Sequence, residues 1–384
     1  MPCPNVPSVP PHVANLHARA TVVDLHAHPT LKIALWGKQL ADCHRSGGAF
    51  DPFSMRVDFP KLKVGGVDVL LSTVYVPERA LLADCFPLRI VKLLLPRVRR
   101  LFDGDPFLET LRILDALEAE VALTPPIDGV RLEVARSHAE LTAARARGSV
   151  VFLHAVEGAH HLSGDAANVG RLFDRGVCLM TLAHFYANGI APPVDGIPPD
   201  NKILGCFQSP KDLDAGLTPV GSTVVEEMVR LGMVVDLTHC TPPARRDVLA
   251  LVGTRRPLVM THVGAHTLQD VPMNPDPTEV RRIADTGGAI GVIAMNHWLS
   301  PFRVVKGIEL MVRTARALAN QGGVEVVALG TDFDGFTDPP DDLPDHAALP
   351  RLTEALLTAG FSTGEVEQIL GGNAERVLKN GWGR

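Results

Sequence analysis

The sequence predicts an α/β protein built as a (β/α)₈ TIM barrel with a helical insertion after strand two, and three observations carry that prediction. Short β-branched runs alternate with helical periodicity along most of the chain, eight such runs can be counted, and six of them end in an imidazole or a carboxylate. The expected strands are Thr21 to His26, Asp68 to Val76, Ser149 to Val156, Val177 to Ala183, Met233 to Thr238, Pro257 to Thr261, Gly288 to Met295 and Val324 to Leu329. Between them, Gly221 to Leu231, Pro243 to Val252, Thr278 to Thr286 and Lys306 to Asn320 have the helical period, several with Pro or Thr before and Gly after. An open doubly wound sheet usually carries a Gly-rich phosphate loop after its first strand, and here Asp24-Leu25-His26-Ala27-His28 stands in that place. After the eighth strand, Arg351 to Leu357 and Gly364 to Leu370 read as closing helices, with Gly371-Gly372-Asn373 as a turn before a last short one.

Two stretches interrupt the alternation within one domain, residues 1–384. Residues 79–147 form an insertion of helical character whose run Arg89-Ile90-Val91-Lys92-Leu93-Leu94-Leu95-Pro96-Arg97 is both basic and apolar. It is expected to be an amphipathic helix packed on the outside of the barrel, with a membrane surface or a homo-oligomer contact as the alternatives. Residues 187–219 are rich in Pro, Gly and Asp and lack periodicity, as expected of a lid or binding loop.

The 384 residues are 46% hydrophobic and 21% charged, enough apolar material for a large core and too much for a disordered chain. A net charge of −6 leaves no basic field for nucleic acid, so a small-molecule partner is expected. No run of about 18 apolar residues occurs, and the N-terminus lacks the pattern of a signal peptide, so neither a membrane span nor export is expected. The six cysteines (Cys3, Cys43, Cys85, Cys178, Cys206, Cys240) are scattered without a CxxC pair and read as reduced thiols of a cytoplasmic protein.

The strand ends carry the chemistry. The apolar runs finish as VVDLHAH, VFLHAVEG, LMTLAH, VVDLTH, LVMTH and VVALGTDFDG, and barrel enzymes draw their reactive groups from this rim. Converging His, Glu and Asp suit Zn²⁺ or a related divalent ion, and the lack of Cys at these ends suits a catalytic site over a closed structural one. Strand alternation puts Asp24, His26 and His28 on one face, so His26 and His28 can share a metal. Glu157 is the expected bridging carboxylate, His239 and His262 the ligands of a second ion, and Asp332 the proton carrier. Asn296 and His297 are candidate pocket residues, Asp24 a buttress for a ligand imidazole, and Asp334 an orienter of the loop around Asp332. His154 faces away from Glu157 and is expected to pack under a helix, while His160 and His161 are expected at the surface.

Together these residues resemble the membrane dipeptidases, or renal dipeptidase-like enzymes, of the amidohydrolase superfamily. The resemblance covers about residues 20 to 380 and rests on His26-Ala27-His28, Glu157-Gly158, Thr181-Leu182-Ala183-His184, the run Glu227 to His239, Thr261-His262, Gly330-Thr331-Asp332-Phe333-Asp334-Gly335 and the closing Gly371 to Val377. It implies a two-zinc hydrolase cleaving dipeptides or dipeptide-like amides by a metal-bridging hydroxide, with His26, His28, Glu157, His239 and His262 as ligands. It further implies that His184 stabilises the tetrahedral intermediate and binds substrate, and that Asp332 shuttles the proton. The chain departs from the family where His28 replaces an Asp, and where Met273, followed by Asn274, replaces an Arg that grips the substrate carboxylate. Hydrolysis of a different amide, a cyclic amide or an ester is therefore the alternative activity. A metal-binding scaffold without catalysis would need neither Asp332 nor His184.

Overall fold

The computed structural model describes residues 7–196, 206–301 and 307–384. The chain opens with α1 (Pro11–Arg19), β1 (Val23–Ala27), α2 (Pro29–Trp36), α3 (Phe59–Val64) and β2 (Val69–Val74). The insertion follows as α4 (Arg79–Asp84), α5 (Phe86–Leu94), α6 (Pro96–Asp103), α7 (Pro106–Leu123), β3 (Leu132–Ala135) and α8 (His138–Ala146). Regular alternation then resumes with β4 (Val150–Glu157), α9 (Asn168–Asp174), β5 (Val177–Thr181), α10 (Pro219–Leu231), β6 (Val234–Asp236), α11 (Pro242–Val252), β7 (Leu258–Val263), α12 (Pro277–Asp285) and β8 (Ala289–Val292). Last come α13 (Asn296–Leu299), α14 (Ile308–Gly322), β9 (Val327–Leu329), α15 (Leu349–Thr358), α16 (Thr363–Glu367) and α17 (Asn373–Gly381).

All strand pairings are parallel, and β1-β2-β4-β5-β6-β7-β8-β9 closes on itself, so the sheet is the expected eight-stranded barrel. The eight predicted strands are all present, most of them shorter than expected. The strand that the sequence did not announce is β3, which runs beside the first half of β4 (Leu132 opposite Val150, Ala135 opposite Leu153) before β5 takes over that edge at His154. Four residues with a Glu in the middle, inside a helical insertion, give no period-2 signal strong enough to read.

The helices start where their caps are. Thr218, Thr241 and Asp276 each accept a hydrogen bond from a backbone N–H of the first turn, followed by Pro, whose missing N–H costs nothing there. The predicted Lys306 to Asn320 helix is observed from Ile308, and Lys306 itself lies outside the described residues. The expected turn at Gly371-Gly372-Asn373 is instead a π-helical turn, Gln368–Gly372, leading straight into α17. A side chain at Gly371 would meet the Thr21 carbonyl oxygen at 2.3 Å, so glycine there serves close packing against β1 and not chain reversal.

One large apolar core fills the barrel and the layer between its strands and helices. A second, small core joins the insertion to the chain after β5: Leu81, Cys85, Val98, Phe102, Tyr186 and Cys206, with Leu88, Val91, Leu95, Phe185 and Phe207 packed against it. Within it Cys85 and Cys206 form a disulfide across 121 residues. This corrects the reading of all six cysteines as reduced thiols and removes the cysteine argument for the cytoplasm, because persistent disulfides belong to oxidising compartments. The separation is too long for spacing to have revealed the pair. Cys178 and Cys240 are buried thiols, and Cys3 lies outside the described residues.

The insertion corrects a second expectation. Helix α5 has no fully buried residue, and Phe86, Ile90, Leu93 and Leu94 are 67%, 46%, 69% and 73% exposed. It is not simply a helix with its apolar face hidden against the barrel.

Candidate active site

At the C-terminal mouth of the barrel five imidazoles surround one carboxylate. Glu157, the last residue of β4, has His26, His239 and His262 Nε2 each 3.3 Å from Oε1, and His28 and His184 Nε2 3.3 and 3.4 Å from Oε2. His26 and His28 Nε2 are 3.0 Å apart, and His239 and His262 Nε2 3.1 Å apart. Asp332 completes the group with Oδ1 3.3 Å from His28 Nε2. All seven residues are buried.

The donor set fits a divalent cation. Ligand atoms sharing a tetrahedral ion at about 2.0 Å are held about 3.3 Å apart, which is the spacing found here, and the nitrogens face one another as lone-pair donors would. Triplets with ligand atoms mutually within 4.8 Å are His26–Glu157–His262, His26–His28–Asp332 and Glu157–His184–His239.

A hydroxyl fixes two of the rings. Thr261 Oγ1 donates to Asp236 Oδ2 at 2.7 Å, so its lone pairs accept from His26 Nδ1–H at 3.1 Å and from His262 Nδ1–H at 2.9 Å. Both imidazoles are thereby left with a bare Nε2 aimed at Glu157. Asp236 is held in turn by Thr181 Oγ1, Thr238 Oγ1 and the Thr238 and Thr261 N–H groups. Sequence reasoning passed over Asp236 and Thr261, although both stand in the quoted motifs VVDLTH and LVMTH.

Asp24, expected to buttress an imidazole of the cluster, does something else. Its carboxylate accepts from His26 N, Thr331 N, Thr331 Oγ1 and His346 Nε2, at 2.6 to 3.1 Å. It therefore ties the end of β1 to the loop that carries Asp332. Asp332 N donates to His26 O at 2.8 Å, and a Cβ at Gly335 would meet Asp332 Oδ1 at 2.2 Å, so only glycine leaves that carboxylate its place. Asp334 accepts from Arg56 N and Val57 N and anchors this loop to the 56–57 segment. His239 (φ 66°), Asp332 (φ 56°) and Asp334 (φ 69°) all adopt the left-handed region that L-residues avoid.

His184 is gripped by a residue the sequence did not single out. Glu78, buried after β2, accepts from His184 Nδ1 at 3.1 Å, Phe185 N at 3.1 Å and Tyr75 Oη at 2.5 Å. The Tyr75 and Phe185 rings pack on the imidazole with centroids at 4.4 and 3.9 Å. No strand-end pattern marks Glu78, since it follows a Pro in a loop.

Burial raises the Glu157 carboxyl, but the His184 and His26 imidazoles overcome that and hold it well below its usual range. Burial, then the nearby His26, push the His262 imidazole well down. Burial also lowers His28, but contacts with Asp332 and Glu157 outweigh it and carry the ring up to about 10.

His154 donates to Glu118 of α7 at 2.8 Å, as its outward face implied. His160 and His161 are not surface residues: His160 Nε2 bonds the Val76 carbonyl at 2.7 Å, and fully buried His161 accepts from Val76 N at 3.2 Å. Their loop turns inward under β2. Asn296 turns its amide to the Pro339 carbonyl at 2.9 Å, and half-exposed His297 offers its carbonyl to Gln269. The next residue, Trp298, stands against the cluster instead, 5.8 Å from His239 and 6.1 Å from His262 between centroids. Trp298 Nε1 donates to Gly196 O at 2.8 Å, and Val194 N to His239 O at 2.8 Å, so Val194 and Gly196 of the 187–219 loop lie on the site. Residues 197–205 of that loop lie outside the described residues. Met273 is fully buried in the core, and Asn274 spends its amide on Gly264, Gln269 and Trp298 backbone groups.

Comparison with known proteins places these observations. The family model of the membrane dipeptidases, peptidase family M19, matches residues 12–381. An uncharacterized dipeptidase of Schizosaccharomyces pombe is 32% identical over 235 residues, 61% of this chain and 54% of that protein, so the chain matches about half the length of that relative. A protein of the pqqA 5′ region of Klebsiella pneumoniae is 31% identical over 291 residues, 73% of this chain and 98% of its own length. Among solved structures, a metallo peptidase from Rhodobacter sphaeroides, liganded with a phosphinate mimic of the dipeptide L-Ala-D-Ala, superposes with a TM-score of 0.71 at 21% identity over 94% of this chain and 99% of that one.

Proposed function

We propose, because the chain belongs to the membrane dipeptidase family, that it is a binuclear metallohydrolase cleaving the amide bond of dipeptides or dipeptide-like substrates. The observation that carries this reading is the convergence of five imidazoles on Glu157, with Asp332 at 3.3 Å from one of them. In it, His26, His28, Glu157, His239 and His262 would hold two divalent ions, zinc by preference for this donor set, with Glu157 as the carboxylate common to both sites. The whole chain acts as one hydrolase unit, with 187–219 as its lid.

When bound, the ions supply a nucleophile near neutral pH and polarise the scissile carbonyl. The protein's own groups do the rest. Asp332, 11% exposed at its side chain, accepts the proton of the attacking water and returns it to the leaving nitrogen. His184 presents Nε2 to the oxygen that gains charge, while Glu78 holds Nδ1 and fixes the ring's direction, which makes Glu78 a positioning residue. Asp236 acts at one further remove, through Thr261, by setting the tautomer of His26 and His262.

A second reading, hydrolysis of an amide, cyclic amide or ester without a free carboxylate, is favoured by Met273, which is buried in the core, and by the Trp298 and Phe185 rings beside His239. The test is hydrolysis of L,L, L,D and N-acylated dipeptides by zinc-reconstituted protein beside an Asp332→Asn control and a metal count. Turnover lost in the control, with about two metals per chain, supports the first reading. Turnover of blocked substrates alone moves the conclusion to the second, and protein that takes up no metal overturns the ligand assignment.

A further inference from the structure

Helix α5 is apolar on two sides. At about 100° per residue, Leu88, Val91 and Leu95 share one face, and these are the residues packed against the small core around Cys85, Val98 and Phe102. Phe86, Ile90, Leu93 and Leu94 share the opposite face and are 67%, 46%, 69% and 73% exposed. The helix cannot roll this stripe inward without withdrawing the first face, and Cys85, at its N-terminal end, is bonded to Cys206. An isolated exposed leucine needs no explanation, but four large side chains on one face of nine residues form a patch with a purpose.

The charge around the stripe selects its occupant. Residues 79–103 hold six Lys or Arg (Arg79, Arg89, Lys92, Arg97, Arg99, Arg100) and two acids (Asp84, Asp103), in a chain whose net charge is −6. Asp84 is engaged by Tyr186 Oη and Ser209 N, and Asp103 pairs with Lys92. Arg89 and Arg99 donate only to backbone carbonyls, of Leu82, Ala83 and Leu93, so their charge is not neutralised by those contacts. Two copies of the same cationic face would repel across a twofold contact. A surface that is fluid, apolar within and anionic at its rim meets both features.

We propose that α5 is a membrane-surface anchor: Phe86, Ile90, Leu93 and Leu94 enter the acyl boundary of a bilayer containing anionic lipid, with Arg89 and Arg99 at the headgroup level. No helix among the described residues is long and apolar enough to cross a membrane, so the contact is peripheral. The inference stands independently of the hydrolase reading.

The experiment is co-sedimentation of the full-length, metal-loaded protein with vesicles of phosphatidylcholine containing phosphatidylglycerol, beside pure phosphatidylcholine, at low and high salt. The unvaried protein is expected to pellet with the anionic vesicles and to be released by salt. Leu93→Glu/Leu94→Glu, at positions too exposed to upset folding, is expected to lower vesicle binding at least about tenfold with unchanged melting temperature. Sedimentation velocity of both proteins without lipid covers the other occupant. Absence of binding to anionic vesicles, equal binding to pure phosphatidylcholine, or a dimer that the double variant converts to monomers would each overturn the proposal.

Discussion

The rim of the barrel and the insertion beside it are built on opposite principles. At the rim, strand backbones deliver side chains to one point, and Glu157, His26 and His262 are placed by β4, β1 and β7 to within 3.3 Å. In the insertion, short helices share a core of a few residues, a disulfide closes it, and one apolar face is left outside. The first region holds its geometry by the cooperativity of the whole sheet, the second by local staples. Chemistry that needs fixed distances sits on the former, and surface that can adapt to a partner sits on the latter.

That contrast can be broken or sharpened by measurement. The largest effect belongs to the rim: Asp332→Asn should lower kcat on the order of a thousandfold while the protein still folds and binds metal, as kinetics and a metal count would reveal. Reduction of Cys85–Cys206, or Cys85→Ser/Cys206→Ser, should cost about 2–4 kcal/mol of resistance to local opening. Hydrogen exchange should show the loss in the insertion and the loop around Phe207 and leave β4 to β9 unchanged. Exchange spreading evenly over the barrel strands would erase the distinction between the two regions.

Glu78→Gln crosses the boundary, because Glu78 lies at the start of the insertion and holds His184. It should lower kcat by about 10- to 100-fold with little change in KM, and shift the pH profile of kcat, whereas a purely structural role would show only in the melting temperature. The smallest effect is acidic. Glu118 of α7 joins the insertion to His154 of β4 and to Arg136. Burial raises its carboxyl, but His154 and Arg136 overcome that and bring it down to about 2. Burial also depresses His154. Glu118 therefore stabilises the folded state fully above its unfolded value of about 4.3, and that contribution disappears as pH falls through about 2. Allowing for solvent screening, about 1 kcal/mol should be lost over that window, and Glu118→Gln should flatten the acid limb of a stability curve.

The same contrast governs what could be read from the sequence. A β-strand buried on both faces writes a largely apolar run whose end is set at the rim, so His26, Glu157, His184, His239, His262 and Asp332 are legible as the imidazole or carboxylate that closes each run. Asp236 and Thr261 sit in those motifs, but their task depends on a neighbouring strand, and sequence carries no record of which strands touch until the barrel is closed. Trp298 follows the expected Asn296 and His297 and its ring stands beside His239 and His262, but an apolar side chain at a strand end carries no mark in the sequence. In the insertion the signals were weaker still. The Glu inside β3 masks its period, Cys85 and Cys206 are too far apart to pair by spacing, and an amphipathic pattern in α5 states that one face is apolar without stating which way it looks.

The left-handed backbone at His239 and Asp332 has a consequence for anyone who selects this protein for robustness. Glycine at either position would relax a conformation that costs about 1 kcal/mol or more in an L-residue, so the hardier chain is the one that has discarded its histidine or aspartate. Screening by heat alone would climb toward an inert barrel, and any search for a durable catalyst from this scaffold has to score turnover in the same round.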